Sequence, residues 1–124
     1  MIYIDNNTIN LTRGDDASLT VNLTADGGEP YAMSNTEFLT FAIRQTPEDN
    51  SPLVLQIQTL PGSNIVTFTH EATAGLEVGF YSAEIQLTRH DGKIVTVWPK
   101  LEGNTRTTKH NWKNFCLMSE VVRE

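Results

Sequence analysis

The sequence predicts an all-β, antiparallel β-sandwich of about seven or eight short strands, and three observations predict it. Apolar and polar residues alternate with period two in one run after another, which places one face of each run in a core. Clusters of Gly, Pro, Asp and Asn separate the runs at short, regular spacing, as turns do. No segment sustains a 3.6-residue period. A small barrel built from similar strands is the alternative.

Ile9 and Leu11 open the first strand, and Ala17, Leu19, Val21 and Leu23 alternate with Ser18, Thr20 and Asn22 in the second. Between them stands Arg13-Gly14-Asp15, a tripeptide that integrins read on extracellular ligands. Squeezed between two strands, it reads instead as a structural turn: Gly14 accepts positive φ, and Asp15 or Asp16 caps the reversal. Asp26 to Pro30 is turn chemistry. Leu39, Phe41 and Ile43 form the next strand, and Leu53, Leu55 and Ile57 follow a polar link that holds Pro47 and Pro52. Pro61-Gly62 is a tight reversal before Val66 and Phe68. Glu71 to Leu76 is the one helical stretch, a single turn long. Tyr81, Ala83, Ile85 and Leu87 alternate with Ser82, Glu84, Gln86 and Thr88. Asp91-Gly92 then predicts a two-residue hairpin turn leading into Ile94–Trp98. Phe115 to Val122 reads as the last strand.

Glu77-Val78-Gly79-Phe80-Tyr81 has the layout of a tyrosine corner, an acid, a glycine two residues on and a tyrosine two further. In immunoglobulin-like sandwiches that tyrosine's hydroxyl bonds back to upstream backbone and locks a crossing between sheets. Antibody domains place a cysteine two residues after the tyrosine, and this chain has Ala83 there. That departure agrees with the presence of a single cysteine, Cys116, which excludes an internal disulfide. Within Phe115-Cys116-Leu117-Met118 the thiol reads as a buried small hydrophobe, with a reactive thiol as the alternative.

The 124 residues make about one domain, read as 1–124, with 39% hydrophobic and 19% charged residues, outside the ranges of disordered or membrane chains. Met1 to Asp5 lacks the basic start and apolar core of a cleaved signal. The net charge of −6 argues against general nucleic-acid binding. Lys100, Arg106, Lys109 and Lys113 against Glu102 nevertheless give residues 100–113 a charge of +3, leaving −9 on the remainder. This long basic loop, which also holds His110 and Trp112, is the candidate contact with a copy of the chain or an acidic partner. A solvated loop, with Trp112 plugging the sandwich edge, is the alternative.

Catalytic chemistry has no visible constellation. His70, His90 and His110 lack metal-ligand spacing, Asp15-Asp16 and Glu48-Asp49 point to opposite faces if extended, and there is no nucleophile elbow or phosphate loop. The reading is a non-enzyme without metal or cofactor. Tyr31, Trp98 and Trp112 are the aromatic candidates for a carbohydrate platform, the alternative function.

The order of features resembles the small immunoglobulin-like proteins of tailed bacteriophages and prophages, and is similar to the N-terminal domain of baseplate upper proteins. The shared elements are a strand ending in LTRGD, a strand with F-x-I-R, a TAGL turn, a G-x-Y-x-x-E-I-Q-L strand, a DG hairpin and a strand ending in proline. They cover roughly residues 7–99. The departure is the tail, where a basic loop and NFCLMSEVV replace an expected shorter link. The resemblance implies an immunoglobulin-like sandwich and a non-enzymatic virion component of the tail tip or baseplate, or a head decoration, assembled in the bacterial cytoplasm. Its partners would be other virion proteins and copies of itself, with no nucleic acid or membrane. A host surface glycan belongs to the alternative reading. The residues expected to shape the domain are Gly14, Gly79, Tyr81, Asp91 and Gly92.

Overall fold

The alternating runs pair into two sheets that face each other. The computed structural model describes residues 2–5, 8–25, 28–46, 51–98 and 114–119. Among them are strands β1 (Ile2–Asp5), β2 (Thr8–Thr12), β3 (Ala17–Thr20), β4 (Phe38–Arg44), β5 (Leu53–Gln58), β6 (Ile65–Phe68), β7 (Gly79–Thr88), β8 (Ile94–Trp98) and β9 (Phe115–Met118), and one helical turn, α1 (His70–Ala74). The larger sheet runs β1-β2-β9-β7-β4-β5, with β8 also on β7, and β3 and β6 form the smaller sheet. This is an all-β sandwich without a disulfide, as the alternation predicts. One pairing departs from the antiparallel expectation, since β2 and β9 run parallel.

The core lies between the sheets and is built from the inward halves of the alternating runs. Ile9, Leu11, Leu39, Phe41, Ile43, Ala83, Ile85, Leu87, Phe115 and Leu117 come from the large sheet, and Val66 and Phe68 from β6. At its centre Phe41 meets Phe68 edge-on, with ring centroids 5.2 Å apart, and Phe115 tilts against Phe41 at 5.8 Å. Each such aromatic pair adds about 1 kcal/mol to the stabilisation from burying the rings. The small sheet is narrower than the large one. Leu55 and Ile57, which share a face with Phe41 and Ile43, are therefore only half-buried.

Several expectations are corrected. β1 was not foreseen; it joins β2 by an antiparallel register from Ile2↔Leu11 to Asp5↔Thr8. β3 stops at Thr20, short of the alternation that runs on to Leu23. From Val21 the chain leaves the ladder, held by Asn64, whose backbone carbonyl accepts from Val21 N–H and whose Nδ2 donates to the Val21 carbonyl. The hairpin loop has three residues, not two. Arg89 N–H donates to Lys93 C=O, and Gly92 N–H donates to Arg89 C=O. That is a tight turn followed by a left-handed residue, and Gly92, at φ 86°, fills it where a side chain would be strained. Asp91 Oδ1 accepts from Lys93 N–H at the same loop. Cys116 is half-buried, because period two gives the inner face of β9 to Phe115 and Leu117 and the outer face to Cys116. Burial raises its thiol pKa. Residues 120–122 of the expected last strand lie outside the described residues.

Candidate functional site

The polar side chains buried in the framework close gaps in the backbone, and three such closures organise the molecule. The first lies on the edge of β7. Residues 85–88 pair with β8 and residues 79–81 pair with β9 on that one edge. Continuing the Ile85↔Trp98 register would put residue 102 opposite Tyr81; Phe115 stands there instead, thirteen residues later. The line of strands along this edge of β7 is thus in two pieces, β8 and β9, and the basic segment stands between them in the sequence. Asn114 bridges the break. It is buried, its Oδ1 accepts from Ala83 N–H at 2.6 Å, and its Nδ2 donates to Ala83 C=O at 2.9 Å. The side-chain amide replaces the peptide group that a continuous strand would offer. The Asn114 carbonyl also accepts from Ile9 N–H at 2.8 Å, so one residue fastens β2, β7 and β9.

The second closure is at the far end of β7. Glu37 falls in register with Leu39, Phe41 and Ile43 and so points inward, 1% exposed. Its carboxylate accepts from Ser34 N–H at 2.9 Å, from the Tyr31 hydroxyl at 2.8 Å and from His90 N–H at 3.4 Å, with His90 Nδ1 at 3.6 Å. The Ser34 and Tyr31 hydrogen bonds hold its pKa at about 2 against the opposing effect of burial, with help from His90. The Tyr31 hydroxyl is raised in turn by its bond to Glu37. The cluster ties the loop before β4 to the β7–β8 turn.

The third closure holds the Arg13-Gly14-Asp15 turn. Gly14, at φ 82°, donates its N–H to Thr73 Oγ1 at 2.8 Å, and Thr73 is fully buried. His70 Nδ1 lies 2.6 Å from the Gly14 carbonyl, a bond it makes as an N–H donor. Asp16 Oδ1 accepts from His70 N–H at 2.7 Å, which ties the turn to the start of α1. Arg13 N–H donates to the Met118 carbonyl and its guanidinium to the Leu76 carbonyl. The tripeptide is pinned to α1 and to the end of β9. At the same end the Tyr81 hydroxyl donates to the Glu77 carbonyl, beside Gly79 at φ 144°.

Of the residues singled out in the sequence, Gly14, Gly79, Tyr81, Asp91 and Gly92 occupy these turns and corners. Lys100, Arg106, Lys109, His110, Trp112 and Lys113 lie outside the described residues. Tyr31 spends its hydroxyl on Glu37, and Trp98 packs half-buried against the core. His70 and His90 are exposed and 20 residues apart in sequence, one at α1 and the other at the hairpin turn. Among the described residues no three His, Cys, Asp or Glu side chains gather as a metal site, and no helix is long and apolar enough to cross a membrane. Sequence reasoning missed Glu37 and Asn114. For Glu37 a signal existed, an acid on the core-facing parity of the Leu39-Phe41-Ile43 run; for Asn114 none did. Comparison with family models, curated proteins and solved structures yields no match.

Proposed function

We propose that the protein is a non-enzymatic structural or adaptor component of a bacteriophage virion, of the tail tip or baseplate region or a head decoration, that works through protein–protein contacts. One observation carries the reading: in an otherwise acidic sandwich a basic segment separates β8 from β9, the two pieces that line one edge of β7, at a break that a single asparagine closes. A fold that keeps its core while an insertion splits the strands beside β7 is suited to presenting that insertion to a neighbour. The acidic body of one copy, or an acidic partner, complements its charge. The buried and bonded polar groups Glu37, Thr73 and Asn114 are engaged with backbone, which leaves them holding loops rather than facing a substrate. The virion setting comes from the resemblance of residues 7–99.

The test is charge reversal in the insertion. Arg106→Glu with Lys109→Glu is expected to weaken assembly, read by native mass spectrometry, with an unchanged melting temperature. Assembly identical to wild type would refute the role of the segment. In the carbohydrate reading Tyr31 is already bonded to Glu37 and Trp98 packed against the core, and glycan binding lost in Trp112→Ala would favour that reading.

A further inference from the structure

We infer that β8 is a pairing edge through which two copies of this chain associate, antiparallel and about a two-fold axis at Val95. Among the described residues β8 pairs with β7 alone, and no described strand lies along its other edge. Which backbone groups that edge presents follows from the hairpin. Arg89 N–H bonds Lys93 C=O, and the register continues Thr88↔Ile94 and Leu87↔Val95. Antiparallel ladders alternate, so the Lys93 carbonyl and the N–H and C=O of Val95 turn toward β7, and Ile94 and Thr96 turn theirs away. No described residue takes up the groups of Ile94 and Thr96.

The side chains of the strand agree. β8 reads Ile-Val-Thr-Val-Trp, uncharged throughout and β-branched up to Trp98, and at its start both faces are open, with Ile94 62% and Val95 43% exposed. Proteins ordinarily protect such edges with charges, prolines or bulges. Here Lys93 precedes the strand, Pro99 follows it in the sequence, and the one irregularity, an extra residue Val97 in β8 opposite Ile85 and Gln86, lies toward its far end. Those features limit the pairing to a short stretch, which suits a closed dimer rather than a growing sheet.

A second copy fits this edge better than an unrelated strand does. An antiparallel edge is its own complement under a two-fold axis. With the axis at Val95, Ile94 of each copy exchanges hydrogen bonds with Thr96 of the other. The two Val95 side chains meet as a non-hydrogen-bonded pair, and each Lys93 lies opposite the uncharged Val97 of the other copy rather than opposite another Lys93. Two chains of charge −6 repel overall, and this edge brings them together where neither carries an acidic side chain. The pairing does not depend on the basic segment, so the two ideas fail separately.

The decisive experiment places a cysteine on the axis of the full chain. In a Cys116→Ser background, Val95→Cys is expected to form an intermolecular disulfide under mild oxidation, because non-hydrogen-bonded antiparallel partners hold their Cα atoms about 4.5 Å apart, within disulfide range. Thr67→Cys, exposed on β6, is expected to stay monomeric under the same conditions. Independently, sedimentation velocity should show a wild-type dimer that Val95→Lys weakens roughly tenfold or more by setting two ammonium groups face to face, with its melting temperature retained. A wild-type chain that remains monomeric at high concentration overturns the inference, as does equal cross-linking at residues 95 and 67 or a Val95→Lys dimer as tight as wild type. If Val95→Lys fails to fold, the cross-linking result decides alone.

Discussion

β7 is paired along one edge without a break and along the other in two pieces. On the first, β4 matches it residue by residue from Phe38↔Thr88 to Arg44↔Ser82. On the second, β9 and β8 share the edge and Asn114 fills the space between them. Yet the inward residues beside both edges are equally buried: Phe41 and Leu39 on β4, Phe115 and Leu117 on β9. The core depends on inward side chains, not on an unbroken ladder. A sheet can therefore accept a long insertion between two strands that share one neighbour's edge, provided that the exposed peptide groups at the break find a substitute partner.

The largest effect tests the first half of that statement. Phe41→Ala, on the unbroken side, and Phe115→Ala, on the broken side, should each cost about 4 kcal/mol in urea unfolding, since both rings sit in the same aromatic centre and leave the same kind of cavity. A Phe115→Ala cost below about 1 kcal/mol would break the comparison, by showing that β9 is an appendage and not part of the core.

Asn114→Ala comes next. It removes both bonds to Ala83 and leaves a buried N–H and C=O without partners, a loss of about 3 kcal/mol at the ordinary cost of such groups. Hydrogen exchange should accelerate first at Ala83 and along β9, while the β4 amides keep their protection. Uniform acceleration across β4 and β9 would mean that the bridge is no more local than the core. Tyr81→Phe is smaller, about 1 kcal/mol, because it removes one hydroxyl bond and keeps the ring against Phe115.

How far the sequence could foresee this follows from the same contrast. The strands from β2 onward and nearly all core residues were legible, because period-two alternation records which side chains face inward. Tyr81 was legible from its spacing to Glu77 and Gly79. Sheet order was not: that β9 lies between β2 and β7 depends on long-range pairing that alternation does not encode. Cys116 was misread because an apolar run hides its parity until the strand's register is known. Asn114 was invisible, since its role depends on a gap created by thirteen residues of insertion. Ile2–Asp5 was missed because four residues are too few for a pattern to establish itself.

At neutral pH the closure by Glu37 is silent to titration, and its effect is confined to acid. The folded pKa, about 2, lies below the ordinary carboxylate value of 4.5. The stability it confers is fully present above about pH 4.5 and is lost as pH falls toward 2. Thermal melts should decline across that window in wild type and flatten in Glu37→Gln, which keeps the shape but cannot titrate. Both edges of β7 are paired at this end, so the acid loss should open the β7–β8 turn and the loop at 31–37 before it reaches Asn114. Equal pH slopes in the two proteins would assign the acid response to other groups.

The smallest change in stability is expected from the most drastic edit. Deleting residues 101–113 would let the chain pass from β8 to Asn114 and restore the register that the Ile85↔Trp98 pairing begins, with Phe115 reaching Tyr81 at the position residue 102 would have held. Closing a loop of this length costs roughly 1–2 kcal/mol of chain entropy, and its removal offsets whatever strain the shortened link introduces at the β8 irregularity. Urea unfolding should therefore move by about 1 kcal/mol or less in either direction. Assembly through the basic segment should vanish, because Arg106, Lys109, His110, Trp112 and Lys113 leave with it, while disulfide capture at residue 95 should persist. A loss of 3 kcal/mol or more on deletion would reverse the lesson of the two edges: the insertion would then be part of what holds β7, and the break in its ladder would be a closure of a kind that Asn114 alone does not supply.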